Sequence, residues 1–280
     1  MPLFDSIVHA FSTAGTGGYA IKNSSIAFYN SYYIDMVVTV FMLLFGINFN
    51  LYYLLLLKDF KQIFKSEELR WYILIVNTLD IYGNVSESFR YSIFQVASII
   101  TTTGFATTDF GMWPTLSQIL LLLLMVVGAC AGSTGGGMKI SRIMILIKSA
   151  KCSIKKMVSP RSVTTINVEG KSVDKQVLDF AYSYFVVYAL IFFASVLLIS
   201  FENLDILTTL TAPLTCLGNV GPGFGDLIGP VGNFSSLSNF SKIVLSFDML
   251  AGRLELFPMI LLFYSLKDCI NVAREKVLKR

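Results

Sequence analysis

The chain has 280 residues, of which 54% are hydrophobic and only 14% are charged, and its formal net charge is +4. Soluble domains carry about a quarter charged residues, so this composition excludes an ordinary soluble domain and predicts a membrane protein. One histidine, no HExxH motif and no nucleophile–base pair argue against an enzyme. The four cysteines lack pair spacing, so no disulfide framework or zinc site is predicted, and no signal peptide is expected.

Four apolar stretches are long enough to cross the roughly 30 Å hydrocarbon core of a membrane. They cover residues 32–57, 116–147, 177–201 and 240–266. A fifth stretch, 71–82, is a weak span, because its dozen residues reach only about 18 Å as a helix.

Lysine and arginine residues predict the orientation of these spans. They are concentrated in and next to the segments 58–70, 148–176 and 267–280. Basic segments remain in the cytoplasm, so these three are predicted to be cytoplasmic and the carboxy terminus to lie inside. Two cytoplasmic segments in succession need an even number of crossings between them, so the weak span 71–82 must cross.

Three short helices are predicted at residues 5–13, 87–100 and 205–216, each starting near a carboxylate or polar residue. They lead into the glycine strands AGTGGYA, TTTGFATTDFG and LGNVGPGFG. Irregular backbone at membrane depth is tolerated only where protein buries it or water wets it. Carbonyl oxygens and threonine hydroxyls of such strands can replace a cation's hydration shell, and the negative helix ends favour a cation there. The alternative is a glycine-rich turn in each loop; a phosphate cradle is disfavoured, because GxxxxGK[ST] does not occur.

The stretch 116–147 is interrupted by GACAGSTGGGMK, residues 128–139. Each interior glycine costs a helix about 1 kcal/mol, so this run predicts a broken helix with a loop beneath the strands. A close helix-packing patch is the alternative. Arg253, within the last span, is costly unless it is paired or wetted. Asp248 and Glu255 are candidate partners in a structural ion pair; otherwise Arg253 is a cationic barrier below the strands.

The motifs TTTGFATTDFGMWP, GACAGSTGGGMKISR, CLGNVGPGFG and AGRLELFP, with STAGTGGY and FGINFNLYYL before them, resemble the Trk/Ktr/HKT superfamily of cation transporters from residue 5 to about 266. The resemblance implies an all-α membrane fold of membrane helix–pore loop–membrane helix units, normally four, around one potassium-selective pore. The implied filter residues are Gly15, Thr16, Gly17, Gly18, Thr101, Thr102, Thr103, Gly104, Phe105, Asn219, Val220, Gly221 and Pro222, with Gly17, Gly104 and Gly221 as the critical glycines. The implied gate residues are Gly132, Ser133, Thr134, Gly135, Gly136, Gly137, Lys139 and Arg253.

The resemblance also implies the function and the partners. The expected activity is K⁺ uptake across the inner, plasma membrane, with K⁺ in the filter as the transported ion and no covalently bound cofactor. Coupling to Na⁺ or H⁺ is left open, and glycine rather than serine at the filter positions favours K⁺ over Na⁺. Expected partners are membrane lipid, a second copy in a homodimer and a cytosolic nucleotide-binding (RCK/KTN) ring that meets the basic segment 148–156, with no nucleic acid.

Only three of the four expected pore loops are present, and the resemblance divides the chain accordingly. The second repeat without its first helix takes 1–57, the third repeat with the gate loop takes 71–147, and the fourth repeat takes 177–266, with cytoplasmic segments at 58–70, 148–176 and 267–280. The chain is therefore expected to be amino-terminally truncated. The alternatives to potassium uptake are an inactive remnant of such a transporter and a Na⁺-coupled or Na⁺-passing transporter.

Overall fold

The structure is a computed structural model that describes residues 1–79, 86–162, 165–225, 227–230, 232–259 and 261. The predicted tail, 267–280, lies outside the described residues. The helices are α1 (Leu3–Ala14), α2 (Tyr32–Phe45), α3 (Phe49–Leu56), α4 (Phe60–Lys65), α5 (Glu67–Leu79), α6 (Ser86–Ile100), α7 (Thr115–Val127), α8 (Ile140–Val158), α9 (Lys175–Ser200), α10 (Ile206–Gly218) and α11 (Asn239–Arg253). Strands β1 (Asn167–Val168) and β2 (Lys171–Ser172) form a small antiparallel hairpin.

The three predicted short helices are confirmed as α1, α6 and α10, and each is followed by an irregular loop and a second helix, which is α2, α7 and α11 in turn. The start of α10 shows the local cause. The Asp205 side chain accepts a hydrogen bond from the backbone N–H of Thr208 at 2.9 Å, which satisfies one of the free donors of the first turn. The plan of short helix, loop and second helix therefore occurs three times along the chain, and we call these occurrences the three units.

Helix α9 has the surface expected of a helix in lipid. Among the described helices it is the one that is long and apolar enough to cross a membrane unbroken. Its outward face carries exposed Leu190, Phe193 and Leu197, whereas Tyr184 and Tyr188 are buried against the rest of the protein. An exposed apolar face opposite a more polar buried one is typical of a helix whose solvent is hydrocarbon.

The predicted span 32–57 is not one continuous helix. It consists of α2 and α3, which are bent by 90° at a short break. Gly46 ends α2, and a Cβ atom there would lie 2.6 Å from the Tyr72 hydroxyl and 2.7 Å from Cγ2 of Thr101. The Asn48 side chain then caps α3 by accepting from Asn50 N at 2.9 Å. Close packing and a new helix cap at adjacent positions explain the bend.

Two further predicted boundaries differ in the structure. The span 240–266 stops at Arg253, where α11 ends, and Glu255 takes a left-handed φ of +59° before the helix resumes at 256. Residues 262–266 lie outside the described part. The weak span predicted from 71 begins earlier, at Glu67, and its 13 described residues correspond to about 20 Å of helix.

Buried contacts join the three units, which are built on α1 and α2, on α6 and α7, and on α10 and α11. Arg90 on α6 forms an ion pair with Asp35 on α2 at 2.7 Å, and both side chains are almost fully buried. The rings of Phe110 and Phe224 meet edge-to-face, with centroids 4.9 Å apart, between the second and third units. These contacts hold the loops after α1, α6 and α10 close together.

Candidate ion pathway and gate loop

The three pore loops, residues 15–19, 101–105 and 219–223, leave their short helices in the same way. In each loop one backbone N–H reaches back five residues: Gly17 to Ser12 O, Thr103 to Ser98 O and Val220 to Thr215 O, at 2.8 to 2.9 Å. This shared bond defines a common register. It places Thr16, Thr102 and Asn219 at one equivalent position, and Gly18, Gly104 and Gly221 at another.

Both of these equivalent positions have left-handed backbone. The φ angles are +48°, +56° and +55° at Thr16, Thr102 and Asn219, and +65°, +83° and +111° at Gly18, Gly104 and Gly221. Left-handed backbone is costly for non-glycine residues and occurs where surrounding structure enforces it, often at ligand sites. Gly17 is not among the residues with positive φ. The prediction that Gly17 matches Gly104 and Gly221 is therefore corrected to Gly18.

The equivalent glycines let neighbouring loops touch. A Cβ atom on Gly18 would lie 1.8 Å from the carbonyl oxygen of Thr103, and one on Gly104 would lie 1.9 Å from that of Val220. The first loop thus presents its glycine to the second loop, and the second loop presents its glycine to the third. At Gly221 none of the described residues comes within 4 Å of the Cβ position. The three loops form an incomplete ring whose open side adjoins Gly221.

The hydroxyls of the threonines predicted to be filter residues bond to protein, which limits the role predicted for them. Thr101, Thr102 and Thr103 are fully buried. The Thr101 hydroxyl lies 2.6 Å from Ala97 O, to which it donates, and 2.8 Å from the Thr103 hydroxyl. The Thr102 hydroxyl accepts from Gly136 N at 2.5 Å. These hydroxyls therefore serve first to hold the loops, which leaves backbone carbonyls as the main candidate cation ligands.

The far ends of two loops are tied to their own helices. Ser98 donates to Phe105 O at 2.6 Å, and Thr215 donates to Pro222 O at 3.0 Å, again at equivalent positions. The Phe105 ring is 1% exposed. Tyr19 occupies the equivalent position in the first loop and is 78% exposed. The first loop therefore borders the open side of the ring, as Gly221 does.

The interruption predicted at 128–139 is confirmed, and we call it the gate loop after the role that the resemblance implies for it. It folds back on the end of α7, because Met138 N donates to Val126 O and Ile140 N to Ala129 O. The return is too tight for side chains: a Cβ atom on Gly128 would lie 2.5 Å from the carbonyl oxygen of Gly136. The glycines therefore allow a loop where two backbone segments are in contact.

The gate loop bonds directly to two pore loops. Thr16 donates to Thr134 O at 2.8 Å, and Gly136 N donates to the Thr102 hydroxyl at 2.5 Å. A Cβ atom on Gly136 would lie 2.4 Å from Gly218 O, at the end of α10, so the loop also presses on the third unit. A Cβ atom on Gly135 would lie 3.0 Å from Thr101 O, in the second pore loop.

Arg253 joins the gate loop to a pore loop. Its guanidinium donates to Thr134 O at 3.0 Å and to Gly15 O at 3.1 Å. The two acidic candidates are bonded elsewhere: Asp248 accepts from Ser195 at 2.8 Å, and Glu255 pairs with Arg142 at 2.7 Å. Among the described residues, Arg253 has no ion-pair partner. Its charge is thus presented to carbonyl oxygens at the base of the candidate pathway.

The remaining predicted gate residues support the shape of the loop. Lys139 is 8% exposed, and its ammonium group donates to Gly135 O. Gly132 O accepts from Phe49 N at 3.1 Å, and the Ser133 hydroxyl donates to Cys130 O at 2.6 Å. Ser133 and Lys139 thus bond within the loop, whereas Gly132 connects it to α3.

The sequence prediction missed two supports of the gate loop. Gly46, at the break between α2 and α3, accepts from Cys130 N at 3.1 Å. Glu68, at the start of α5, accepts from Ala131 N at 2.7 Å. A glycine inside an apolar run was the sequence feature that could have identified Gly46. No local signal identified Glu68, because it lies in a charged stretch that reads as a solvated loop.

The chain matches a family of cation transport proteins along almost its whole length. The family model described as TrkH, cation transport protein, matches residues 1–77 and 80–270. The Trk system potassium uptake protein TrkG of Escherichia coli (strain K12) is 34% identical over 278 residues, with 94% of this chain and 56% of the relative covered. TrkH of Vibrio parahaemolyticus is 35% identical over 276 residues, with the same coverage.

A solved structure agrees with the sequence comparisons. The crystal structure of the potassium transporter TrkH from Vibrio parahaemolyticus superimposes with a TM-score of 0.86 at 35% sequence identity. The match covers 94% of this chain and 58% of that one. The predicted all-α membrane fold class is confirmed. The chain spans a little over half the length of the relatives it matches.

Proposed function

We propose that this chain, which belongs to the TrkH family of cation transport proteins, forms three pore segments of a potassium-uptake pathway across the cytoplasmic membrane. The observation that carries the proposal is the common register of the pore loops. Three loops with left-handed backbone at equivalent positions meet through Gly18 and Gly104, each against a carbonyl oxygen of the next loop. Glycine-rich turns that only connected helices would not share this arrangement.

Backbone carbonyls are the proposed ligands for K⁺. The short helices α1, α6 and α10 end at the pore loops, so the negative ends of their dipoles favour a cation there. Carbonyl rings replace the hydration shell of K⁺ in selective filters. The buried threonines keep the loops in place, as their hydrogen bonds to the helices and the gate loop indicate.

The gate loop is proposed to close the pathway below the filter. Its bonds to Thr16 and Thr102 place it against two pore loops, and Arg253 adds a positive charge beside the same carbonyls. A cation leaving the filter would meet the backbone of the gate loop and the positive charge of Arg253. Conduction in this proposal requires the gate loop to move aside.

The ring of pore loops is proposed to be completed by a fourth segment on its open side. A cavity of about 660 Å³ lies there, and residues that line it include Ser12, Gly17, Tyr19, Gly221 and Arg253. A fourth loop in this cavity would meet Gly221 as Thr103 meets Gly18. It would also shield backbone that is otherwise open, which a filter at membrane depth requires.

The proposal extends to orientation and assembly. The basic segment 148–156 lies on α8 and is proposed to face the cytoplasm, where anionic lipid and a nucleotide-binding ring are its candidate partners. A homodimer is proposed on the same family basis. K⁺ is proposed as the cargo rather than Na⁺, because the equivalent positions in all three loops carry glycine.

The test is rubidium uptake by cells that lack their own potassium transporters. One strain expresses the chain alone, and a second also expresses the part of the Vibrio parahaemolyticus relative that the chain does not match. Uptake in the second strain that disappears with Gly104→Ser supports the proposal. No uptake in either strain, with both polypeptides present in the membrane, overturns it.

An inactive remnant is the second candidate function, and the open side of the pore-loop ring favours it. In that case the chain would insert and associate with intact relatives without transporting ions. Uptake of sodium rather than rubidium in the second strain would instead identify the Na⁺-passing alternative.

A further inference from the structure

Glu68 is a buried carboxylate in an unusual place. It belongs to the first turn of α5, is 8% exposed, and forms no ion pair within the described residues. A buried charge without a counter-ion is costly unless hydrogen-bond donors surround it. Glu68 therefore needs donors, and those donors come from the gate region.

One oxygen of Glu68 holds both ends of the gate loop. Its Oε1 atom accepts from Ala131 N at 2.7 Å, inside the loop, and from Ser141 N at 3.2 Å, in the first turn of α8. The N–H groups of a helix's first turn lack partners within the helix, and the helix dipole favours an anion there. The loop from residue 131 to residue 141 is thus closed on a single carboxylate.

The turn that carries Glu68 is fixed from its other side. The Ser66 hydroxyl donates to Glu169 at 3.1 Å, and Glu67 pairs with Lys148. Lys148 also donates to Asn167 O at 2.7 Å, in strand β1. Three consecutive residues therefore connect the hairpin, α8 and the gate loop, so the Glu68 carboxylate is held in a defined position.

We propose that Glu68 is a positioning residue that keeps the gate loop beneath the filter. This inference rests on the proposed function of that loop, but it concerns a residue outside the pore loops and the gate loop. Loss of the carboxylate frees Ala131 N and Ser141 N at once. The gate loop then leaves its closed position more often, without any change in the pore loops themselves.

Cys130 offers a readout that does not depend on transport. It is fully buried, it is adjacent to Ala131, and its N–H donates to Gly46 O. In a background with Cys152→Ser, Cys216→Ala and Cys269→Ser, labelling by a water-soluble maleimide in membranes reports opening of the gate loop. A parallel background that retains Cys216 alone, which is buried at 2% exposure, reports loss of the fold.

The decisive comparison is between Glu68→Ala, Glu68→Gln and Glu67→Gln. Removal of hydrogen bonds to a charged group predicts that Cys130 labelling rises roughly tenfold or more in Glu68→Ala. Glu68→Gln, which keeps the shape and loses the charge, is expected to be intermediate. Glu67→Gln is the control for loss of a carboxylate charge in the same turn: the Ser66–Glu169 and Lys148–Asn167 hydrogen bonds still hold that turn, so its labelling is expected to stay near the parental rate.

The outcomes separate this inference from the proposed function. Parental labelling of Cys130 in both Glu68 variants overturns it. If Glu68→Ala also exposes Cys216, the fold is lost and Glu68→Gln alone decides the question by the same criterion. Faster Cys130 labelling in a chain that transports no rubidium would support the role of Glu68 while the transport proposal fails.

Discussion

Gly18 lies so close to Thr103 that a Cβ atom on the glycine would be 1.8 Å from the threonine carbonyl oxygen. Gly18 also has a φ of +65°, which an alanine adopts only with strain. Space and backbone angle therefore both require glycine at this position. The adjacent Gly17 has neither constraint to the same degree: it has no positive φ, and the nearest atom to its Cβ position belongs to the ring of Tyr19, at 3.0 Å.

We expect Gly18→Ala to abolish rubidium uptake in the complemented strain and Gly17→Ala to retain most of it. The Tyr19 ring is 78% exposed and free to turn away from a methyl group, whereas the Thr103 carbonyl belongs to a packed backbone. Uptake assays at equal membrane expression make the comparison. Greater sensitivity at Gly17 would restore the assignment made from the sequence.

Gly136→Ala is expected to displace the gate loop. The new methyl group would lie 2.4 Å from the Gly218 carbonyl oxygen, so one of the two backbone segments has to shift. We expect faster labelling of Cys130 and altered rubidium uptake, with normal membrane insertion. Gly170→Ala is the control for backbone strain without a contact: Gly170 has a φ of +79° and nothing within 4 Å of its Cβ position among the described residues, whereas Gly136 is not among the glycines with positive φ. An effect of Gly170→Ala as large as that of Gly136→Ala would show that the contact with Gly218 is not the cause.

Arg253→Lys is expected to raise ion flux nearly as much as Arg253→Ala. The guanidinium bonds to both Gly15 O and Thr134 O, and the more compact ammonium group lacks the planar fork that reaches two such oxygens. Loss of one hydrogen bond to a charged group corresponds to roughly tenfold in the closed-state equilibrium. Single-channel recording or rubidium flux measures the change. Parental flux in Arg253→Lys would show instead that the positive charge alone forms the barrier.

Asp35→Ala is expected to destabilise the protein strongly. It leaves Arg90 buried without its partner, and breaking a buried ion pair costs about 3–5 kcal/mol. Glu255→Ala breaks the more exposed pair with Arg142 and is expected to cost about 0–1 kcal/mol. Thermal unfolding in detergent compares the two. Equal unfolding temperatures would mean that water or lipid headgroups reach Arg90.

Glu202 is expected to make stability depend on acid pH. It lies in the turn between α9 and α10, and hydrogen bonds from the Ser241 hydroxyl and then from Ser238 hold its pKa below the usual value of 4.5. A carboxylate with a lowered folded-state pKa stabilises the protein above its unfolded pKa, and this contribution is lost as the pH falls through the folded pKa. Glu202→Gln should therefore lower the unfolding temperature at pH 7, and the difference should shrink below about pH 4.5. A difference that is constant with pH would contradict the assignment.

Local features of the sequence predicted the repeated plan of the fold. The short helices α1, α6 and α10 were predictable, because each is a brief apolar run that starts near a carboxylate or polar residue and ends at glycine or threonine. The gate loop was predictable for a similar reason: residues 128–139 contain too many glycines for a helix interior. The motifs in and around the pore loops predicted the family.

Other features depend on contacts between residues far apart in the chain. The bend at Gly46 depends on Tyr72 and Thr101, which crowd that position. Glu68 accepts hydrogen bonds from Ala131 and Ser141, which are 63 and 73 positions further along the chain. The local sequence around Glu68 therefore gave no indication of its role.

The choice between Gly17 and Gly18 could not be predicted from the sequence. Two adjacent glycines in the same motif have the same local freedom, so the sequence predicts that this loop needs glycine but does not identify which glycine faces the next loop. The tertiary structure identifies Gly18, because the atom it faces is the carbonyl oxygen of Thr103, on a loop more than 80 residues away. Helix lengths and loop composition are local properties of the chain, whereas register between loops is a property of their packing.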